Sequence, residues 1–212
     1  MTDRPMLFQG DMVRGIYGDY KTKTRRACKG KTLDALQKFP PDFVTRHADD
    51  FYPYGQPGDR IWVKETYFAF GHWEQRFSDK KGRNEWHFVD QTLERGGAYK
   101  YEADGIPDGF VKHKRQEGPT TWWRRSSLFM PRAASRITLE IIDVRIERLQ
   151  DISEADAIAE GAKWAACGSP QEGSHKAGFA QLWERINGQD SWAANPWVWC
   201  IQFKRVANEV NE

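Results

Sequence analysis

Residues 137–149, Ile-Thr-Leu-Glu-Ile-Ile-Asp-Val-Arg-Ile-Glu-Arg-Leu, constrain the fold more than any other stretch of the chain. Apolar and polar residues alternate almost throughout, which is the period of a β-strand with one buried face. The alternation slips once, at Ile141-Ile142, where an extra residue in the strand would form a β-bulge. A strand of this length must lie inside a sheet that has a core on one side. The segment that follows, Asp151 onward to Gly161, reads as a capped helix, acidic in its first turn and ended by glycine. Residues 196–206 predict a second long strand, and residues 175–187 place Phe179, Leu182, Trp183 and Ile186 at helical spacing before Asn187-Gly188.

The N-terminal part has its own signals. Residues 11–18 begin at an N-capping aspartate, place apolar residues at 12, 13, 16 and 17, and stop at glycine, so they predict a short amphipathic helix. Lys21-Thr22-Lys23-Thr24-Arg25-Arg26 then alternates cations with β-branched threonines, as an extended strand with two unlike faces would. Residues 30–59 are rich in turn-formers, and residues 60–67 predict a strand. Residues 71–130 offer only short strand candidates, at 86–89 and 98–101, between charged and glycine-rich loops. Strands and helices without βαβ alternation predict an α+β protein: a small mixed β-barrel with flanking short helices. At 212 residues a single domain is expected, with residues 71–130 as a loop-rich insertion.

Charge divides the chain. The formal net charge is only +2, yet residues 1–136 hold 25 basic and 18 acidic side chains and residues 137–212 hold 7 and 12. The densest basic stretch, residues 14–31, carries seven Lys/Arg beside Asp11 and Asp19. A second cluster comprises Lys112, Lys114, Arg115, Arg124, Arg125, Arg132 and Arg136, interleaved with Trp122, Trp123 and Phe129. Cations beside aromatic rings suit nucleic acid, because they neutralise phosphates while the rings stack on unpaired bases. The plain alternative is a solvated basic face with its Trp residues in the core.

Several familiar chemistries lack their motifs. Phosphate-loop, dinucleotide-binding and hydrolase-elbow patterns are missing, the five histidines show no metal-ligand spacing, and Cys28, Cys167 and Cys200 are too far apart for a CxxC. No metal or other cofactor is expected, and the cysteines are expected to be buried small apolar residues. No apolar run approaches the length of a membrane span and the first residues lack an apolar signal core, so a cytoplasmic protein without a membrane partner is expected.

Taken in order, the residues 11–18 helix leading into Lys21-Thr22-Lys23-Thr24-Arg25-Arg26, the run Pro57-Gly58-Asp59-Arg60-Ile61-Trp62-Val63-Lys64-Glu65-Thr66, the strand and helix of residues 137–161 and the closing strand resemble the ASCH family, a branch of the PUA-like β-barrels. Met130-Pro131-Arg132-Ala133-Ala134-Ser135-Arg136, Leu149-Gln150-Asp151-Ile152-Ser153-Glu154 and Asn195-Pro196-Trp197-Val198-Trp199 resemble the larger ASCH-like proteins of phages and prophages. The resemblance covers about two thirds of the chain. It implies binding of RNA, in preference to DNA, or of a modified nucleoside. One branch of the family removes the acetyl group of N4-acetylcytidine with a lysine and a threonine of a K-T-x-T segment and a glutamate at a helix end. The matching positions are Lys21, Thr24 and Glu160, with Arg26 beside them.

The side chains make that chemistry reasonable. A lysine desolvated among Lys23, Arg25 and Arg26 has a lowered pKa and offers a neutral amine, a glutamate can shuttle a proton, and a threonine can donate a hydrogen bond. RNA cleavage is a second hydrolytic possibility. A non-catalytic reader of a modified base, or a phage accessory protein acting through protein contacts, is the alternative. Substrate-binding candidates are Arg26, Lys23, Glu65, Trp62 and Tyr67; Glu65 could accept from an exocyclic amine, or be only a strand-end charge. Nucleic-acid-binding candidates are Arg25, Arg124, Arg125, Arg132, Arg136, Trp122 and Trp123.

Overall fold

The computed structural model describes residues 2–111, 117–167 and 169–206. Along the chain run β1 (Asp3–Leu7), α1 (Gly10–Tyr17), β2 (Lys23–Ala27), α2 (Lys31–Leu36), α3 (Pro41–Arg46), α4 (Ala48–Phe51), β3 (Arg60–Lys64), β4 (Tyr67–Ser78), β5 (Arg83–Asp90), β6 (Lys100–Tyr101), β7 (Thr121–Arg125), β8 (Thr138–Arg148), α5 (Glu154–Ala159), β9 (Ala165–Cys167), β10 (Ser169–Ser174), α6 (His175–Asn187) and β11 (Trp197–Val206). The described residues fall into two compact units. One is drawn from Met1–Met6, Arg14–Val63 and Arg136–Glu212, and the other from Leu7–Val13 and Lys64–Ser135.

The first unit is built on a five-stranded sheet of order β1-β3-β8-β11-β2. The α+β class therefore holds, but the sheet is open where a closed barrel was expected. Its edges are β1 and β2, which do not pair with each other, and each is only five residues long. Closure requires edge strands that tilt and stagger far enough to meet. The sheet is carried instead by β8 and β11, eleven and ten residues long and antiparallel along their length.

The double apolar step in β8 is a bulge. Gln202 pairs with Asp143 and Phe203 with Ile141, leaving Ile142 as the extra residue, 41% exposed. Because side chains alternate with period two, one inserted residue moves the buried set from Leu139 and Ile141 to Val144 and Ile146 without changing its face. All four are buried. Their neighbours on that face include Thr24, Trp199, Ile201 and Phe203, and the Tyr52 ring lies 4.6 Å from that of Trp199.

The opposite face carries Lys23 and Arg25 of β2, Cys200 and Val198 of β11, and Arg145 and Glu147 of β8, in cross-strand register. It is covered by α5 and α6. Leu149, Ile152, Ala157, Ala162, Phe179 and Trp183 form an apolar cluster with Val198. Burying such side chains contributes about 1.5–3 kcal/mol each. Helix α5 begins at Ser153, whose hydroxyl accepts from the Asp156 N–H at 3.1 Å, and gives way at Gly161, whose φ is 77°.

The second unit holds β4, paired with β5 on one side and with β6 and β7 on the other. Its core is Tyr67, Ala69, Met130 and Ala134, with Phe88, Tyr99 and Tyr101 packed against them. A Cβ at Gly71 would stand 2.1 Å from the Val89 carbonyl oxygen, so only glycine allows β5 to approach β4 there. The sequence expectation of one strand over residues 60–67 gives way to two, β3 and β4, and β4, twelve residues long, continues to Ser78 within the region expected to be loop-rich.

Candidate functional site

The site grows out of the junction between β2 and the end of α5. Lys21 stands just before β2, where its own N–H donates to the Gly15 carbonyl at 3.0 Å, and the next N–H, of Thr22, donates to the Ala159 carbonyl at 2.8 Å. This fixes Lys21 against the C-terminal end of α5, where helix carbonyls lack intrahelical partners and the dipole is negative. The Lys21 Nζ donates to the Glu160 carbonyl at 2.8 Å, to Glu160 Oε2 at 2.9 Å and to the Lys23 carbonyl at 2.8 Å. Three bonds use all three ammonium donors.

Lys21 is 2% exposed and Glu160 4%. The Glu160 carboxylate also accepts from Arg25 Nη1 at 3.2 Å. Arg25 is likewise buried, and its Nη2 reaches Glu147 Oε1 at 2.5 Å and Asp156 Oδ2 at 2.6 Å. Asp156 binds Lys23 as well, at 2.5 Å, and Arg145 binds both Asp156 and Glu147, at 2.5 and 2.9 Å. Three carboxylates are thus laced to four cations between the sheet and α5, and the Arg25 guanidinium lies 5.9 Å from the Phe179 ring centre of α6.

The electrostatics follow from burial and from these partners. Desolvation lowers the Lys21 pKa below 10.5; Glu160 opposes this, while Arg26 and Arg25 reinforce it. Burial lowers Arg26 too, against the pull of Tyr54, Glu160 and Tyr52. Burial would raise the Asp156 carboxyl, but hydrogen bonds from Lys23 and Arg25 and the charges of Arg25 and Arg145 outweigh it and bring the group from 3.8 to about 2.

Donor atoms of Glu147, Asp156 and Cys200 lie within 4.8 Å of one another. That spacing would suit a divalent cation, but both carboxylates already accept from Arg25 and Arg145, and burial pushes the Cys200 thiol up to about 12. Guanidinium groups fill the place that an ion would take. Cys28 and Cys200 are buried and free, and the Cys167 side chain lies outside the described residues. No helix among the described residues is long and apolar enough to cross a membrane.

Of the residues singled out in the sequence, Lys21, Glu160, Arg25 and Lys23 come together. Thr24 is buried on the other face of β2, paired with Ile201. Arg25, grouped there with the cations facing nucleic acid, is instead enclosed by carboxylates. Trp62 is half-buried on β3, on the face opposite Ile61 and Val63. Glu65 and Tyr67 belong to the second unit, at 1% and 2% exposure, so Glu65 is not the solvent-facing strand-end charge considered above. The Tyr67 hydroxyl donates to the Phe129 carbonyl at 3.2 Å.

In that same unit Trp123 is buried and its ring N–H donates to the Gly71 carbonyl at 3.0 Å, which makes it core and not a stacking platform. Trp122 is half-buried beneath Lys100, whose Nζ is 4.4 Å from its ring centre. Arg124 is bidentate to Glu102, Arg125 lies over Trp73 and Phe88, and Arg132 is exposed. Arg136, in the first unit, lies over the Tyr17 ring. Lys112, Lys114 and Arg115 fall outside the described residues.

Sequence reasoning missed Arg145, Glu147 and Asp156. The polar face of residues 137–149 carried a signal, since alternate charges on a strand that is then covered by a helix must find partners. No family model matches the chain, and no curated protein or solved structure is significantly similar to it.

Proposed function

We propose that the chain is a PUA-like protein of the ASCH type that binds RNA or a modified nucleoside and hydrolyses an acylated exocyclic amine, of the N4-acylcytidine kind, at Lys21 and Glu160. The observation that carries this reading is the buried 2.9 Å contact between the Lys21 amine and the Glu160 carboxylate, the lysine of the K-T-x-T segment and the helix-end glutamate that the resemblance implies. Desolvation favours the uncharged amine, and Arg25 and Arg26 push the same way. The neutral amine takes a proton from water as the water oxygen bonds to the acyl carbon. The C–N bond then breaks, and the proton passes through Lys21 to the departing amine, leaving the free base and a carboxylic acid that gives its own proton to solvent. Glu160 orients Lys21 and relays its proton, while Thr24, buried on the other face of β2, takes no part in the step.

A second reading, a non-catalytic reader of the same base, is favoured by one feature: all three Lys21 donors are already satisfied by Lys23 and Glu160. The experiment that separates the two is acetate release from N4-acetylcytidine, free and within an RNA oligomer, by the wild type, Lys21→Met and Glu160→Gln. Release by the wild type that is lost in Lys21→Met supports the hydrolase. Binding without release, in a wild type that also leaves RNA uncut, replaces it with the reader.

A further inference from the structure

Beside the Lys21 site lies a surface that the hydrolytic reading leaves unused. Tyr20, the residue before Lys21, is 53% exposed. Its ring rests in a cradle of glycines: a Cβ would come within 3.0 Å of it at Gly15, 2.7 Å at Gly18 and 3.5 Å at Gly161. The same added Cβ atoms at Gly15 and Gly161 would stand 3.0 and 3.5 Å from the Lys21 Cβ. Ring and catalytic-site lysine therefore share one floor, and the ring keeps an open side to solvent. Tyr17, one turn earlier, is 38% exposed and has two guanidinium groups over its ring, Arg136 at 4.9 Å and Arg205 at 5.6 Å. Arg205 also reaches both Asp19 carboxylate oxygens at 3.3 Å.

An uncharged nucleoside makes no use of two guanidinium groups held on one ring. A phosphodiester does, because arginine binds phosphate through paired N–H donors, and an exposed tyrosine face stacks on a base irrespective of its identity. We infer that Tyr20, Arg136 and Arg205 bind the backbone and a flanking base of a single-stranded nucleic acid, so that the substrate of the Lys21 site is a base within an oligonucleotide and not a free nucleoside. The inference deepens the reading above and rests on it for the position of the reacting base. Tyr17 acts as a positioning residue that holds the two arginines, and Asp19 competes with phosphate for Arg205.

The test is fluorescence anisotropy with a labelled ten-nucleotide single strand, as RNA and as DNA, with free N4-acetylcytidine as competitor. Tyr20→Ala is expected to weaken oligonucleotide binding about 5- to 150-fold, the range for loss of one base–aromatic stack, while Tyr20→Phe keeps wild-type affinity. Arg136→Gln with Arg205→Gln removes two phosphate contacts and should flatten the slope of log affinity against log salt by about 1.4. Asp19→Asn, which suits the left-handed backbone at that position (φ 56°), should tighten binding.

Unchanged affinity and salt slope in folded Tyr20→Ala and in the double arginine variant overturn the inference, and so does a free nucleoside that binds as tightly as the oligomer. Equal dependence for RNA and DNA supports it as a backbone-and-base surface; preference for RNA supports it with the 2′-hydroxyl also read. Failure of this inference is distinguishable from failure of the hydrolase. Acetate release that depends on Lys21, without oligonucleotide binding, sinks only the surface, whereas Tyr20-dependent binding without release sinks only the chemistry.

Discussion

Asp156→Asn removes the carboxylate that Lys23, Arg25 and Arg145 share, and its cost can be worked from the structure. The Asp156 side chain is 12% exposed, and its carboxyl is held at about 2 against the ordinary 3.8. At about 1.36 kcal/mol per pH unit, that difference is worth about 2 kcal/mol at neutral pH. The larger penalty of about 3–5 kcal/mol for orphaning a buried charge does not apply in full, because Arg25 keeps Glu147 and Glu160 and Arg145 keeps Glu147. The sign is set by linkage. A depressed carboxyl stabilises the fold above its unfolded value and loses that contribution as pH falls through its folded value. Urea unfolding of wild type and Asp156→Asn from pH 2 to pH 8 should therefore show a gap of about 2 kcal/mol above pH 5, narrowing below 3.8 and mostly gone near 2. A gap independent of pH, or one below about 0.5 kcal/mol at pH 7, refutes the reasoning.

Deleting Ile142 should preserve cooperative thermal unfolding followed by circular dichroism, since removal of the extra residue restores plain alternation and leaves Asp143, Arg145 and Glu147 opposite the apolar face, and Ile142→Thr should stay within about 0.5 kcal/mol of wild type. In a Cys167→Ser background, Cys28 and Cys200 should stay unreactive toward a thiol reagent at pH 8 until the chain is unfolded, because burial raises both thiols to about 12. Gly161→Ala should cost about 1–2 kcal/mol by denaturant titration, the price of a side chain at φ 77°.

The central strand pair was legible because a half-buried strand has no other way to read than by alternation, and even its single irregularity at Ile141-Ile142 shows as a doubled apolar step. Helix α5 was legible for a similar reason: Ser153 and Gly161 are chemical signals at its two ends. Strand β4 was not, because Trp73, Glu74, Gln75, Arg76 and Phe77 are half-buried or exposed, so no buried face imposes a period. Open-sheet topology was equally hidden, since alternation gives a strand its faces but not its neighbours. At the site, Lys21 and Glu160 were named through resemblance, while Asp156, Glu147 and Arg145 were passed over. Charged residues on a strand's polar face usually meet water, and only the packing of α5 and α6 over that face converts them into a buried network.

That network sets the terms on which Lys21 can act. Glu160 is the main influence holding the proton on Lys21 against desolvation, with Arg26 and Arg25 on the other side. Removing its charge by Glu160→Gln should lower the Lys21 pKa further, so the proposed hydrolysis, if it rises with pH as the amine is freed, should have its midpoint moved toward acid. The same shift has a counterpart in stability that needs no turnover. A base whose folded pKa lies below its unfolded 10.5 leaves the unfolded chain holding more protons in between, so stability rises with pH across that window. In Glu160→Gln the window should open at lower pH than in the wild type, as read by urea unfolding between pH 6 and pH 10, with Lys21→Met as the reference that lacks it. A window that moves toward alkali, or one that persists in Lys21→Met, would show that another group titrates there and that Glu160 does not govern the amine.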